Sequence, residues 1–492
     1  MRAVLAIVTA FALVLPRAVA QQALPDLGDV SQAGFTPAME RRVGELAMRE
    51  LRRDPAFLDD VEVRSYVQAL GSRLVAASPE PTQEFTFFVL RDPTVNAFAM
   101  PGGFVAVHTG LLLAAQSESE LASVLAHEIA HVTQHHIARQ MAKAEQIQPL
   151  AIAGMILAIL AARANPQAAQ AALLTSQAGA TQAMLAYSRD FEREADRVGF
   201  QILKGAGFDV SGMPAFFERL QRATRLYENN APAYLRTHPV TTERIADMQA
   251  RVQGVPYRQR PDAPEFQLVR AKLRAANGTP EQAAGYFGDL LHDHRYANEA
   301  AARYGHARAL LRMRDVAGAA KEVAALRKLP DRSPMIDTLD AEVKSAAGDL
   351  EGARAVLAAA RVTYPGNLAL AYAYAETLQA MQRHTEAIAV LDELARDYPH
   401  VARVRALAAK SYAALGKRFA QHRAQAEFYA LQGSLPAAIE QLDLARAAGD
   451  GDFYSLSAAE ARQRELKAKL AEEMRDERKQ QYTGVAGRFD SH

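Results

Sequence analysis

A period of about 34 residues, the length of one tetratricopeptide-type helix pair, constrains this chain more than anything else it carries. Segments 314–319, 348–353 and 382–387 align at successive offsets of 34, and Pro330, Pro365 and Pro399 recur at spacings of 35 and 34. Each segment ends on a small residue (Ala319, Ala353, Ala387), which lets two helices approach closely, and each proline follows a stretch with helical patterning and closes it. One helix pair cannot bury its own apolar face. Stacked pairs bury a continuous core and leave a concave surface, so the predicted architecture is an α-solenoid. Segments 278–283 and 433–438 read as degenerate outer members. The Ala-rich texture begins near Pro264, which sets the repeat unit at residues 261–458 and leaves 459–492 as a charged tail, helical and solvated over 460–481.

That period is the tetratricopeptide signature, and its concave face predicts protein partners. At 492 residues the chain exceeds one ordinary core, so the part ahead of the repeats forms a second domain. Apolar residues make up 49% and charged residues 23%, as in folded protein. With 57 basic against 56 acidic residues and no long basic block, nothing favours nucleic acid as a partner. Cysteine is absent, so any metal site must draw on histidine and carboxylates.

The amino terminus reads as an export signal over residues 1–20. Arg2 is followed by an apolar run over 3–15 broken only by Thr9, and Ala18-Val19-Ala20 offers small residues for cleavage before Gln21. Pro16 and Arg17 interrupt the run too early for a spanning helix. No cysteine follows, which excludes a lipid-anchored amino terminus. Residues 37–77 have helical periodicity. Residues 84–90 and 96–100 read as strands, Pro101-Gly102-Gly103 as a turn, and 104–108 as a third strand able to pair, as a sheet edge, with extended substrate. Residues 117–140 are predicted as one helix opening on a capping box of Ser117 and Glu120. Residues 143–186 form a lid or insertion. Within them, 150–162 is an unbroken apolar stretch, too short to span a bilayer. It reads as a buried helix or, alternatively, as an interfacial or lid segment with peripheral membrane contact. Helical patterning resumes over 181–205 and 242–252.

The chemistry concentrates at His127-Glu128-Ile129-Ala130-His131. Residues four apart on a helix share a face, so His127 and His131 can direct imidazole nitrogens at one ion while Glu128 accepts a proton from water. A catalytic zinc needs a third protein ligand. The extended metzincin pattern requires Gly at 134 and His at 137, where this chain has Gln134 and Ile137. The other source is Glu192-Arg193-Glu194-Ala195-Asp196, on a helix made apolar by Phe191, Val198 and Phe200. Glu192 is the candidate ligand, and Asp196, one turn on, can hold the outer nitrogen of a ligand histidine.

Together these segments resemble the gluzincin metallopeptidases of the HtpX and CAAX-prenyl-protease class, in their soluble periplasmic branch carrying tetratricopeptide repeats. The resemblance rests on Asn96-Ala97-Phe98-Ala99-Met100-Pro101-Gly102-Gly103, on 127–131, on Ser188-Arg189-Asp190-Phe191 leading into 192–196, and on Thr237-His238-Pro239. It implies one Zn2+ per chain on His127, His131 and Glu192, with Glu128 as general base. It implies envelope quality control of outer-membrane proteins, with proteolytic and chaperone-like activity, and contact with the outer-membrane assembly machinery. His238 is expected near the metal, as an oxyanion stabiliser, as a fourth ligand that silences the site, or as a packing residue beside Pro239. Arg244 is a weaker candidate for the oxyanion role.

The expected fold is mainly α, a zincin-type helical domain with a small β-sheet (21–260) followed by the solenoid. Two functions compete. One is a periplasmic metalloendopeptidase, and the other a non-proteolytic chaperone or scaffold with a silenced metal site.

Overall fold

The computed structural model describes residues 35–143, 188–226, 233–256 and 260–486. The export signal, residues 144–186 of the insertion and the apolar stretch 150–162 lie outside the described residues.

The 37–77 pattern resolves into two helices, α1 (Pro37–Leu51) and α2 (Val61–Val75). Each begins on a side-chain cap that satisfies otherwise orphan amides. Thr36 Oγ1 accepts from the Met39 N–H, and Asp60 Oδ1 from the N–H groups of Glu62 and Val63. Val63, Val67, Leu70 and Leu74 recur at three- and four-residue intervals and are all buried.

Three strands follow, β1 (Thr86–Leu90), β2 (Ala97–Met100) and β3 (Phe104–His108). Their order is β1-β3-β2, with β3 parallel to β1 and antiparallel to β2. The expectation for Phe104 to His108 is therefore corrected: β3 is the central strand, and both its backbone edges are taken. All five of its residues are buried, and an apolar run without alternation is what burial on both faces produces. The edge beside β3 belongs to β2. Gly102 and Gly103 close the β2–β3 turn at φ +79° and +82°, where an L side chain would be strained.

After α3 (Thr109–Ala114) comes α4 (Glu118–Thr133), buried along all 16 residues. Ser117 Oγ caps it through the Glu120 N–H at 3.2 Å. The Glu120 carboxylate does not close the box; it accepts from the Gln116 N–H at 2.7 Å and pairs with Arg219. The single helix expected over 117–140 breaks at His135, whose φ of 49° turns the chain before α5 (His136–Lys143). Then come α6 (Arg189–Gly205), α7 (Gly212–Leu226), α8 (Ala233–Thr237) and α9 (Thr242–Gln253). Helix α6 crosses α4 at Gly199, where a Cβ would stand only 3.1 Å from the Cα and N of His127. Backbone against backbone at this point is what lets carboxylates on α6 reach imidazoles on α4.

The solenoid runs through α10 (Pro264–Ala276), α11 (Pro280–His292), α12 (Glu299–Arg312), α13 (Val316–Leu326), α14 (Pro334–Ala346), α15 (Leu350–Thr363), α16 (Leu368–Ala380), α17 (His384–Asp397), α18 (Ala402–Ala414), α19 (Arg418–Leu431) and α20 (Leu435–Ala447). Its period is visible in the backbone. Arg314, Gly348, Gln382 and Gly416 follow one another at intervals of one repeat, and all have left-handed φ between 59° and 84°. They end the first helix of each pair, and the aligned Ala319, Ala353 and Ala387 are fully buried where the second helix crosses it. Gly433 comes only half a repeat after Gly416, so segment 433–438 is one helix out of phase with the others. Lys272 on α10 pairs with Asp60 and Glu62 at 2.6 Å each, fastening the solenoid to the start of α2. The final helix, α21 (Phe453–Ala486), is not simply solvated: Ala459 and Leu466 are buried, and Glu473 pairs with Arg49 of α1 at 3.0 Å.

Candidate metal centre

Three helices deliver the polar groups. Helix α4 carries His127, Glu128 and His131, α6 carries Glu192 and Asp196, and His238 follows the end of α8. His127 and His131 place their Nε2 atoms 3.0 Å apart. Glu192 faces both, with Oε2 3.5 Å from His127 Nε2 and Oε1 3.4 Å from His131 Nε2. His238 Nδ1 lies 2.9 Å from Glu192 Oε1 and 3.4 Å from His127 Nε2. One donor atom from each of His127, His131, Glu192 and His238 falls within 4.8 Å of all the others, and every one of these residues is buried.

A divalent cation fits this set. Imidazole nitrogens and carboxylate oxygens converging from three helices on one buried point are the donor set a borderline ion prefers. Charge in the metal-free cluster is divided unevenly. Burial works against the His127 imidazolium, but Asp196 and Glu192 beside it override that and lift its pKa to about 9. Burial, helped by the His127 charge, holds His131 well below the usual histidine range despite Glu192. Glu192 is buried too, yet the surrounding histidines keep its carboxyl well below the usual carboxylate range.

Glu128 points into the same space. Its Oε2 accepts from the Ala99 N–H of β2 at 3.0 Å, while its buried Oε1 has no hydrogen-bond partner. Burial raises its pKa. Asp196 Oδ1 lies 3.0 Å from His127 Nδ1, on the side of the ring away from the cluster. Arg244 grips Asp196 through two bonds, Nε to Oδ2 at 2.6 Å and Nη2 to Oδ1 at 2.7 Å, and its Nη1 reaches Glu192 Oε2 and the Pro239 carbonyl, each at 2.7 Å. The guanidinium is spent on ligand-bearing groups. That removes it as an oxyanion donor and makes it the tie between α6 and the His238 segment.

His238 is held from its own side. Its N–H donates to the Tyr234 carbonyl at 2.8 Å, its ring stacks on the Tyr234 ring at 4.7 Å, and the Tyr234 N–H donates to the Val95 carbonyl just before β2. The sequence reading missed two contributors. Tyr234 carried no motif. His136, which bonds to His131, falls inside the single helix expected over 117–140, and the adjacent pair His135-His136 just beyond His131 is the signal that could have found it.

A buried His/His/Glu cluster on crossing helices, with a glutamate beside it and a helical-repeat solenoid after it, defines a metallopeptidase with a partner-binding array. Residues 62–252 match the family described as Peptidase family M48, and residues 345–411 match the tetratricopeptide repeat. Over 433 residues the chain is 34% identical to the beta-barrel assembly-enhancing protease of Escherichia coli (strain K12), covering 86% of each protein. A corresponding Vibrio cholerae protein is 43% identical over 252 residues, spanning 51% of this chain and about half (52%) of that relative. The mitochondrial metalloendopeptidase OMA1 of Schizosaccharomyces pombe is 32% identical over 184 residues, 37% of this chain and 51% of that relative. The chain belongs to the M48 metallopeptidases, in the family of the beta-barrel assembly-enhancing proteases. No helix among the described residues is long and apolar enough to cross a membrane.

Proposed function

We propose that the chain is a periplasmic zinc metalloendopeptidase that degrades misfolded or stalled outer-membrane proteins and assists their assembly through its repeats. The observation that carries this is the buried convergence of His127, His131 and Glu192 beside a carboxylate oxygen of Glu128 that has no hydrogen-bond partner. The printed name of the relatives and the export signal over residues 1–20 support the compartment and the substrate class. The outer-membrane assembly machinery is the partner that this reading assigns to the repeats.

In this reading His127, His131 and Glu192 would hold one zinc ion, which would supply Lewis acidity toward the scissile carbonyl and toward water. Glu128 takes a proton from the attacking water on Oε1 and returns it to the leaving amine, its other oxygen fixed by Ala99. Asp196 orients His127. The β2 edge, not β3, lies nearest Glu128, and its outer backbone groups other than the Ala99 N–H held by Glu128 can pair with an extended chain, which selects unfolded substrate. His238, buried with its Nδ1 among the same donor atoms, would take the fourth ligand position in this conformation. Helix α8 must therefore swing away before substrate enters, carrying Tyr234 with it.

Two variants test this on an unfolded outer-membrane β-barrel protein. Glu128→Gln abolishes cleavage while zinc and fold persist, and His238→Ala raises basal cleavage. Unchanged cleavage by Glu128→Gln overturns the peptidase assignment. Full rescue of a deletion strain by that same variant favours the second reading, a chaperone or scaffold, which the closeness of His238 to the other donor atoms supports.

A further inference from the structure

A fourth histidine reaches the site from outside. His131 turns Nε2 toward His127 and Glu192, and its other nitrogen, Nδ1, lies 2.8 Å from His136 Nδ1. His136 is fully buried and stacks on Phe191 at 4.5 Å with rings 13° apart. Its Nε2 lies 3.2 Å from Glu194 Oε2, and that oxygen accepts from Arg139 Nη1 at 2.9 Å.

Two nitrogens at 2.8 Å share one proton, and the outer partners decide where it sits. Glu194, paired with Arg139, is a carboxylate that only accepts, so His136 carries its hydrogen on Nε2 and presents an unprotonated Nδ1. His131 must then carry its hydrogen on Nδ1 and keep the Nε2 lone pair for the ion. On a continuous helix, residues five apart point about 140° away from each other. The left-handed turn at His135 removes that separation and brings the two rings nitrogen to nitrogen.

We propose that His136, oriented by Glu194 and Arg139, is a positioning residue that fixes the tautomer and ring plane of His131 for metal binding. It does for His131 what Asp196 does for His127, with a neutral ring in place of a charged carboxylate. The two ligand histidines therefore have unequal outer partners. Ion affinity depends on α5 as well as on α4 and α6, because α5 carries His136 and Arg139. The proposal rests on His131 being a metal ligand.

The test is competition for Zn2+ against a chromophoric chelator, using the full chain, with thermal melting of the metal-stripped forms alongside. His136→Phe keeps the stack on Phe191 and removes the acceptor, so Zn2+ binds about 10- to 100-fold more weakly. His136→Asn offers an amide oxygen near the Nδ1 position and recovers most of that loss, while both variants melt, metal-free, like the parent. Unaltered Zn2+ affinity in His136→Phe overturns the proposal, as does an equal loss in both variants. Should His136→Phe fail to fold, Glu194→Leu probes the chain from its far end: weaker Zn2+ binding supports the proposal and unchanged binding overturns it. A parent protein that takes up no Zn2+ brings down the reading of the site and this inference with it.

Discussion

Gly199 sets how closely the two ligand-bearing helices of the catalytic half can cross. A Cβ built there sits 3.1 Å from both the Cα and N of His127 and 3.2 Å from the Ala126 carbonyl carbon. Comfortable carbon contacts lie at about 3.5–4.0 Å, so Gly199→Ala forces α6 and α4 apart by about 0.5 Å. These are backbone atoms of a buried helix, and no side-chain rotation can relieve the clash. Overpacking of this kind costs about 1–3 kcal/mol. The helix propensity of alanine returns about 1 kcal/mol of that. The net loss of stability is therefore about 0–2 kcal/mol, and the larger effect falls on the metal. Zinc–ligand distances tolerate only about 0.2 Å, so separating Glu192 from the two imidazoles weakens binding by about tenfold or more. Chelator competition and thermal melting read the two effects separately. Gly285 supplies the control, since a Cβ at that position on α11 meets nothing within 4 Å. Gly285→Ala should raise stability by up to about 1 kcal/mol with zinc binding untouched. If Gly199→Ala instead behaves like Gly285→Ala, gaining stability and binding zinc normally, the close-crossing explanation of the site is wrong.

Two further outcomes follow from the buried charges. With a metal-free pKa of about 9, His127 is protonated at pH 7 and must lose its proton when an ion binds, whereas His131, held well below the usual range, has none to lose. Zinc uptake at pH 7 should therefore release at least one proton per chain, and affinity should rise with pH up to about 9. Calorimetry in buffers of different ionisation enthalpy reads this directly, and heats that do not vary with buffer would contradict it. Glu40 on α1 is raised to about 7 by burial and then by Glu80. A carboxyl with a folded pKa above its ordinary value binds more protons folded than unfolded, so stability falls as pH rises through about 7, by at most about 3 kcal/mol. Glu40→Gln should raise the melting temperature at pH 8 and leave it nearly unchanged at pH 5.

How far the site could be read from sequence depended on how local each signal was. His127 and His131 lie one helical turn apart, so helical periodicity alone puts them on one face. The repeats declared themselves through small residues and prolines recurring about every 34 residues, because each pair solves the same packing problem. What failed were statements needing the third dimension. The run Phe104-Val105-Ala106-Val107-His108 looked like a strand but did not reveal its neighbours, and β1 took the side that was expected to stay open. Arg244 looked available for catalysis until its donors were found on Asp196, Glu192 and Pro239. The break at His135, which redirects His136 onto His131, has no glycine or proline to announce it.

Peptidase chemistry here requires one ion held by two imidazoles of α4 and one carboxylate of α6. Metal content by elemental analysis of the purified chain tests this most directly. Zinc should be present at one per chain in the parent and in Glu128→Gln, and nearly absent from folded His131→Ala and Glu192→Ala. Stoichiometric zinc retained by folded His131→Ala or Glu192→Ala would contradict it.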